Sequence, residues 1–227
     1  MDSGAAQLSP FDALNAAFAS AADPAHAAPM AKYLKNQFGC FGIPAPPRRA
    51  IQREILGHWT PDESELIAFV DACWACPERE LQYAACDLLL RRARHCSEGL
   101  IGDAERWITT RSWWDTVDAL AHAVGDLVAA HPALSSVTDR WIVADDFWLA
   151  RVAIIHQLHF KHATDATRLF RYCAERTADS EFFIRKAIGW ALREYAKTDP
   201  DAVIAFVAAH DLSPLSRREA LRRLPAS

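Results

Sequence analysis

The chain has 227 residues, enough for one large domain or two small ones with a buried core. Its 51% hydrophobic and 24% charged residues exclude a disordered, collagenous or coiled-coil chain. A formal net charge of -4 excludes a bulk polycation, so any nucleic-acid binding must come from a local basic face. Alanine, the best helix former, occurs 43 times and glycine only 8, which points to an all-α protein.

Met1 to Pro10 carries Asp2 and no basic residue, and the alanine-rich stretch after it is broken by Asp12, Asn15, Asp23 and His26. This is not the pattern of a secretory leader, and no apolar run is long enough to cross a bilayer. The expected compartment is the cytoplasm, with the six cysteines reduced. Residues 1–25 read as a frayed segment or a peripheral helix, and residues 26–227 as a single helical domain. Met30 to Phe38 reads as a helix end. Gly39 to Pro47 is a Gly/Pro-rich loop, and Arg48 and Arg49 open the helix after it. Thr60-Pro61-Asp62 and Thr198-Asp199-Pro200 are helix starts, whereas His131-Pro132 and Leu212-Ser213-Pro214 are breaks. Cys73-Trp-Ala-Cys76 has the spacing of half a zinc site, but no second CxxC exists. Small apolar residues within a helix are the favoured reading, and no metal is expected.

An internal repeat runs through the chain. Ala85, Ala119, Ala153 and Ala187 are each 34 residues apart, and Cys86, Leu120, Ile154 and Ile188 follow in step. Trp114, Trp148 and Phe182 share another phase, and Leu90, Val124, Leu158 and Leu192 a third. Helical periodicity within each copy makes the unit a helix pair. Units start near residues 65, 100, 134 and 166, with a shorter one from Pro200. The expected fold is a curved α-solenoid of HEAT-like repeats, without the tetratricopeptide signature.

Within the repeats, Arg111-Ser-Trp-Trp-Asp-Thr-Val-Asp118 stands out. Trp114 and Asp118 are one helical turn apart on the same face, and Asp118 occupies a phase filled by Ala84 and Val152 elsewhere. A carboxylate beside an aromatic ring in a groove can stabilise a cation. The plainer alternative is that Asp115 or Asp118 caps a helix or pairs with an arginine. Trp190 sits one turn past Lys186, which shares the phase of Asp118, and so falls near the same lateral position or else in the core. Arg151, Arg185 and Lys186 hold adjacent phases. With Arg48, Arg49, Lys161, Arg193 and Lys197 they could line up as a stripe for a phosphate backbone, or remain solvated surface charges. No phosphate loop, HExxH or GxSxG is present, and His156 and His159 alone are a weak metal signal.

From about Met30 to Pro200 the chain resembles the AlkD family of DNA glycosylases, HEAT-like repeat proteins that excise alkylated purines. The likeness is carried by Tyr33-Leu-Lys-Asn-Gln-Phe38, Gly42-Ile43 with Arg48-Arg49, Ser112-Trp-Trp-Asp-Thr-Val-Asp118 and Trp148-Leu-Ala-Arg151 with Ile155-His-Gln157. The block from Phe182 to Tyr195 with Lys197-Thr-Asp-Pro200 completes it. The resemblance implies a catalytic aspartate at Asp118, cleft tryptophans at Trp114 and Trp190, a DNA-contacting arginine at Arg151 and a tyrosine near the lesion at Tyr33. It departs at Pro44-Ala45, where the family often carries a polar pair, and Pro44 has no N–H to offer a phosphate. The implied activity is monofunctional, cofactor-free hydrolysis of the N-glycosidic bond of N3- or N7-alkylated purines in duplex DNA. It would proceed by a monomer and without a base-flipping pocket. A catalytically silent DNA-structure binder and a protein-interaction scaffold are the alternatives.

Overall fold

The computed structural model describes residues 8–222 and Leu224. Among these residues the chain is all-helical, with thirteen α-helices and no β-strand. It divides into two compact units, Met1–Leu89 and Leu90–Ser227. The repeat period had pointed to one domain from residue 26, and the difference arises because the N-terminal helices close a core of their own.

In the first unit, α1 (Pro10–Ser20), α2 (Pro24–Tyr33), α3 (Ala45–Leu56) and α4 (Glu63–Ala75) lead into α5 (Arg79–Arg92), which begins there. Met1 to Gln7 lie outside the described residues. Helix α1 is an integral part: Leu14 and Phe18 are fully buried, and α1 packs on α3 and α4. Asp23 caps α2 at Ala25 N, and Asp62 forms a reciprocal capping box with Glu65 at the start of α4. The Gly/Pro-rich loop is built around a buried anion. Glu80 accepts hydrogen bonds from the backbone N–H groups of Phe41, Gly42 and Ile43 at 3.0, 2.8 and 3.1 Å. Gly42 has φ +91°, and a Cβ there would lie 2.0 Å from the Asp23 carbonyl oxygen, so only glycine fits.

The second unit is a run of helix pairs: α6 (Leu100–Thr109) with α7 (Trp114–Ala130), α8 (Ser135–Trp141) with α9 (Phe147–Ile155), α10 (Ala166–Glu175) with α11 (Phe182–Tyr195), and α12 (Pro200–Ala209) with α13 (Pro214–Leu221). The second helices stack in order, α7 on α9, α9 on α11 and α11 on α13. The repeating positions are where they touch. Leu120, Ile154 and Ile188 are 1–2% exposed and Val124 and Leu192 at most 1%, and each such side chain contributes about 1.5–3 kcal/mol of burial. Small residues set the spacing. A Cβ on Gly125 would fall 2.1 Å from the His156 carbonyl oxygen, and one on Gly189 would fall 2.5 Å from the Glu219 Cβ. Aspartates start the later helices: Asp146, Asp165 and Asp199 accept from Trp148 N, Arg168 N and Ala202 N. Pro214, read from the sequence as part of a break, is the first residue of α13, capped by Ser213.

Candidate functional site

Stacking of α7, α9, α11 and α13 places one residue set around an open cleft of ≈ 380 Å³ in the second unit. Trp114 and Asp118 come from α7, Arg151 from α9, and Lys186, Trp190 and Arg193 from α11. Phe182 and Phe183 form its aromatic wall and Glu219 of α13 its far side. The charged lining residues are three cations and two carboxylates, a net excess of one positive charge.

Asp118 is held by a two-point grip. Arg151 Nε donates to Oδ1 at 2.7 Å and Nη2 to Oδ2 at 2.9 Å. The third contact of the guanidinium, Nη1 to the Phe183 carbonyl oxygen at 2.6 Å, ties α9 to α11. The Arg151 side chain is 5% exposed and that of Asp118 18%, so the carboxylate faces the cleft and the arginine lies behind it. Burial pushes the Asp118 carboxyl above the usual aspartate range. Arg151 pulls it down, Asp115 adds a further push up, and the net direction is upward.

The aromatic wall is built by the segment before α7 and the starts of α9 and α11. The ring of half-buried Trp113 lies 5.3 Å from that of Phe183 and 6.1 Å from that of Trp148. Phe147 stacks on Phe183 at 6.4 Å, and Phe182 stays 55% exposed at the lip. Trp114 and Trp190 are half-buried, with part of their surface left to the cleft.

Of the sequence-derived candidates, the cleft gathers Asp118, Trp114, Trp190, Arg151 and Lys186. The basic stripe is not formed as an open row of cations. Arg151 is turned inward onto Asp118, and Arg185 donates Nε to the Asp179 carbonyl oxygen at 2.8 Å beside a separate depression. Lys161 lines another depression, with His162, Tyr195 and Lys197. The 34-residue phase fixes a helix position, not where a long side chain goes past the helix end. In the first unit Tyr33 is 69% exposed. Arg49 is exposed, 3.8 Å from Asp87. Arg48 is buried, 3.1 Å from Asp87 with Tyr83 beneath its guanidinium. The N–H groups after the Gly42 turn serve Glu80. Among the described residues no group of three or more His, Cys, Asp or Glu could hold a metal, and Cys73 is buried in α4. No helix of the described residues is long and apolar enough to cross a membrane.

Sequence reading missed Phe183, Arg193 as a cleft residue, and Glu219. A signal for Glu219 exists: it follows Lys186 by 33 residues, the same separation as Arg151 from Asp118.

Stacked helix pairs that hold a carboxylate and two tryptophans in one cleft define a helical-repeat protein with an open, aromatic-walled cleft. Residues 14–224 match the family of DNA alkylation repair enzymes, and the chain belongs to that family. A predicted DNA alkylation repair enzyme from Enterococcus faecalis is similar in structure, with a TM-score of 0.84 and 36% identity, over 91% of this chain and 98% of that one. AlkD2 from Streptococcus mutans shares the fold at 16% identity, with a TM-score of 0.63 over 81% of this chain and 93% of its own. The smu.31 protein of Streptococcus mutans UA159 does so at 15% identity, with a TM-score of 0.64 over 95% and 99%. No match was found among curated protein sequences.

Proposed function

We propose that this member of the family hydrolyses the N-glycosidic bond of N3- or N7-alkylated purines in duplex DNA, as a monofunctional glycosylase. The observation that carries the reading is the Asp118 carboxylate. It is fixed at both oxygens, faces a cleft lined by Trp114 and Trp190, and lies far enough from bulk water for its charge to act strongly on a reacting group.

Alkylation at N3 or N7 makes the purine cationic and so already a good leaving group. As the C1′–N bond stretches, its electron pair moves to the base and neutralises it, while positive charge builds on the sugar. Asp118, ionised, stabilises that oxocarbenium-like charge, and the carboxylate can orient a water for attack at C1′. The water oxygen bonds to C1′ and its proton passes to solvent, leaving a neutral free purine and an abasic site. The rings of Trp114 and Trp190 add apolar surface and π faces that favour cations. Arg151 does not touch the reacting atoms; it holds Asp118 in place. An open cleft with an exposed Phe182 at its lip suits a base that stays outside a closed pocket, and so adducts larger than methyl.

A second reading has one observation in its favour. The Asp118–Arg151 pair also works as a latch between α7 and α9. A non-catalytic DNA binder would need it only for that. Incubation with methylated duplex DNA separates the two. The glycosylase reading expects free 7-methylguanine or 3-methyladenine with matching abasic sites and no strand cleavage. Binding without release would establish the other.

A further inference from the structure

We infer that Glu219 is a positioning residue, which presets Lys186 and Arg193 as a clasp for a DNA phosphate beside the reacting nucleotide. This rests on the reading of the cleft as a DNA site.

The argument starts from a repetition. Asp118 and Arg151 are 33 residues apart and pair between consecutive second helices; Lys186 and Glu219 are 33 residues apart and do the same, two repeats further along. The polarity is reversed. In the first pair the arginine is the buried member, 5% exposed, and the carboxylate faces outward at 18%. In the second the carboxylate is buried at 11% and Lys186 faces outward at 38%. One latch thus offers an anion to the cleft and the other offers a cation.

The second latch also has an added member. Glu219 Oε1 accepts from Lys186 Nζ at 3.1 Å, and Oε2 accepts from Arg193 Nη1. Lys186 and Arg193 are seven residues apart on α11, two turns along one face, with Trp190 between them on the cleft. Both cations hold the Glu219 carboxyl below the usual glutamate range, Lys186 most strongly. Glu219 itself cannot drift. Its Cβ lies against Gly189, and Ser216 Oγ, one turn before it, donates to the Arg185 carbonyl oxygen at 2.9 Å.

A lysine and an arginine left free would each lose side-chain entropy on gripping a phosphate. Held by a shared carboxylate, that loss is taken during folding. Each cation still has N–H groups to offer: an ammonium has three and a guanidinium five, and the contacts to Glu219 use one of each. The trio keeps a net charge of plus one, which suits a phosphodiester.

The test compares Glu219→Gln, which keeps shape and removes charge, with wild type in two assays. These are binding of unmodified duplex across a salt series and single-turnover release of 7-methylguanine. The inference expects opposite signs. The variant binds duplex about threefold tighter or more, because a buried negative charge has left the phosphate site, yet releases base about tenfold more slowly, because the clasp is loose. Lys186→Met and Arg193→Met should each lower the salt dependence by about one phosphate contact. Unchanged salt dependence in both, or a Glu219→Gln protein that changes both assays in the same direction or neither, overturns the clasp while wild-type activity stands. If wild type binds no duplex, both the clasp and the functional reading fall.

Discussion

Asp118 and Arg151 meet through two parallel hydrogen bonds, of 2.7 and 2.9 Å, across 33 residues of sequence. The fork of the guanidinium matches the two carboxylate oxygens, so the pair fixes the orientation of Asp118 as well as its place. Removing Arg151 strands a desolvated carboxylate. Arg151→Met should therefore destabilise the protein by about 3–5 kcal/mol, read as a lower urea midpoint at pH 7. Arg151→Lys should recover only part of the loss, since one ammonium cannot span both oxygens.

The rate of base release should fall as pH drops through the Asp118 ionisation, because only the carboxylate stabilises a cation. Burial raises that ionisation above the ordinary aspartate value of about 3.9. The acid limb of the single-turnover profile should have its midpoint above that value. In Arg151→Met it should lie higher still, as the group that pulls the carboxyl down has gone. A limb that does not move would separate the two residues functionally.

Gly125 lets α9 approach α7 closely enough for Arg151 to reach Asp118. Alanine is the better helix former by about 1 kcal/mol, and propensity alone favours Gly125→Ala. The added Cβ would sit 2.1 Å from the His156 carbonyl oxygen, a backbone atom that cannot swing aside. The expected sign is destabilisation, by about 1–3 kcal/mol, together with slower base release as the helices part. Thermal unfolding and single-turnover assays on the same preparation check both halves.

Folding stability should decline in mild acid. Burial pushes His156 down to about 4, and burial followed by the charge of His159 pushes His122 down to about 4. Both lie below the unfolded value of about 6.5, so the unfolded chain takes up protons that the folded one refuses. The stability from these neutral rings is complete above pH 6.5 and is lost as pH falls toward 4. Urea midpoints at pH 7.5 and 5.0 should differ in wild type and differ less in His156→Gln.

The repeat was legible because stacking of the second helices forces Ala153, Ala187, Leu120, Ile154 and Ile188 into a fixed phase, where size and polarity are constrained in every copy. Asp118 was legible for the same reason, as a carboxylate in a phase held by Ala84, Val152 and Lys186 in the other copies. The direction of long side chains was not. Arg151 and Arg185 share a phase, yet one turns inward to a carboxylate and the other reaches a backbone carbonyl. Arg48 reads as a surface cation until Asp87 and Tyr83 arrive from α5 to bury it. Glu219 lies in the last helix pair, where a weaker repeat hides the separation that marks it as the partner of Lys186.

The central claim is that the Asp118 carboxylate stabilises a cationic transition state. Its most direct test is single-turnover release of 7-methylguanine from methylated duplex by wild type and Asp118→Asn, with duplex binding and unfolding temperature measured on both. The account predicts a rate lower by about 10²–10³ in the variant, with duplex affinity retained and the fold intact. Equal rates in the two proteins, with both folded and both bound to DNA, would contradict it.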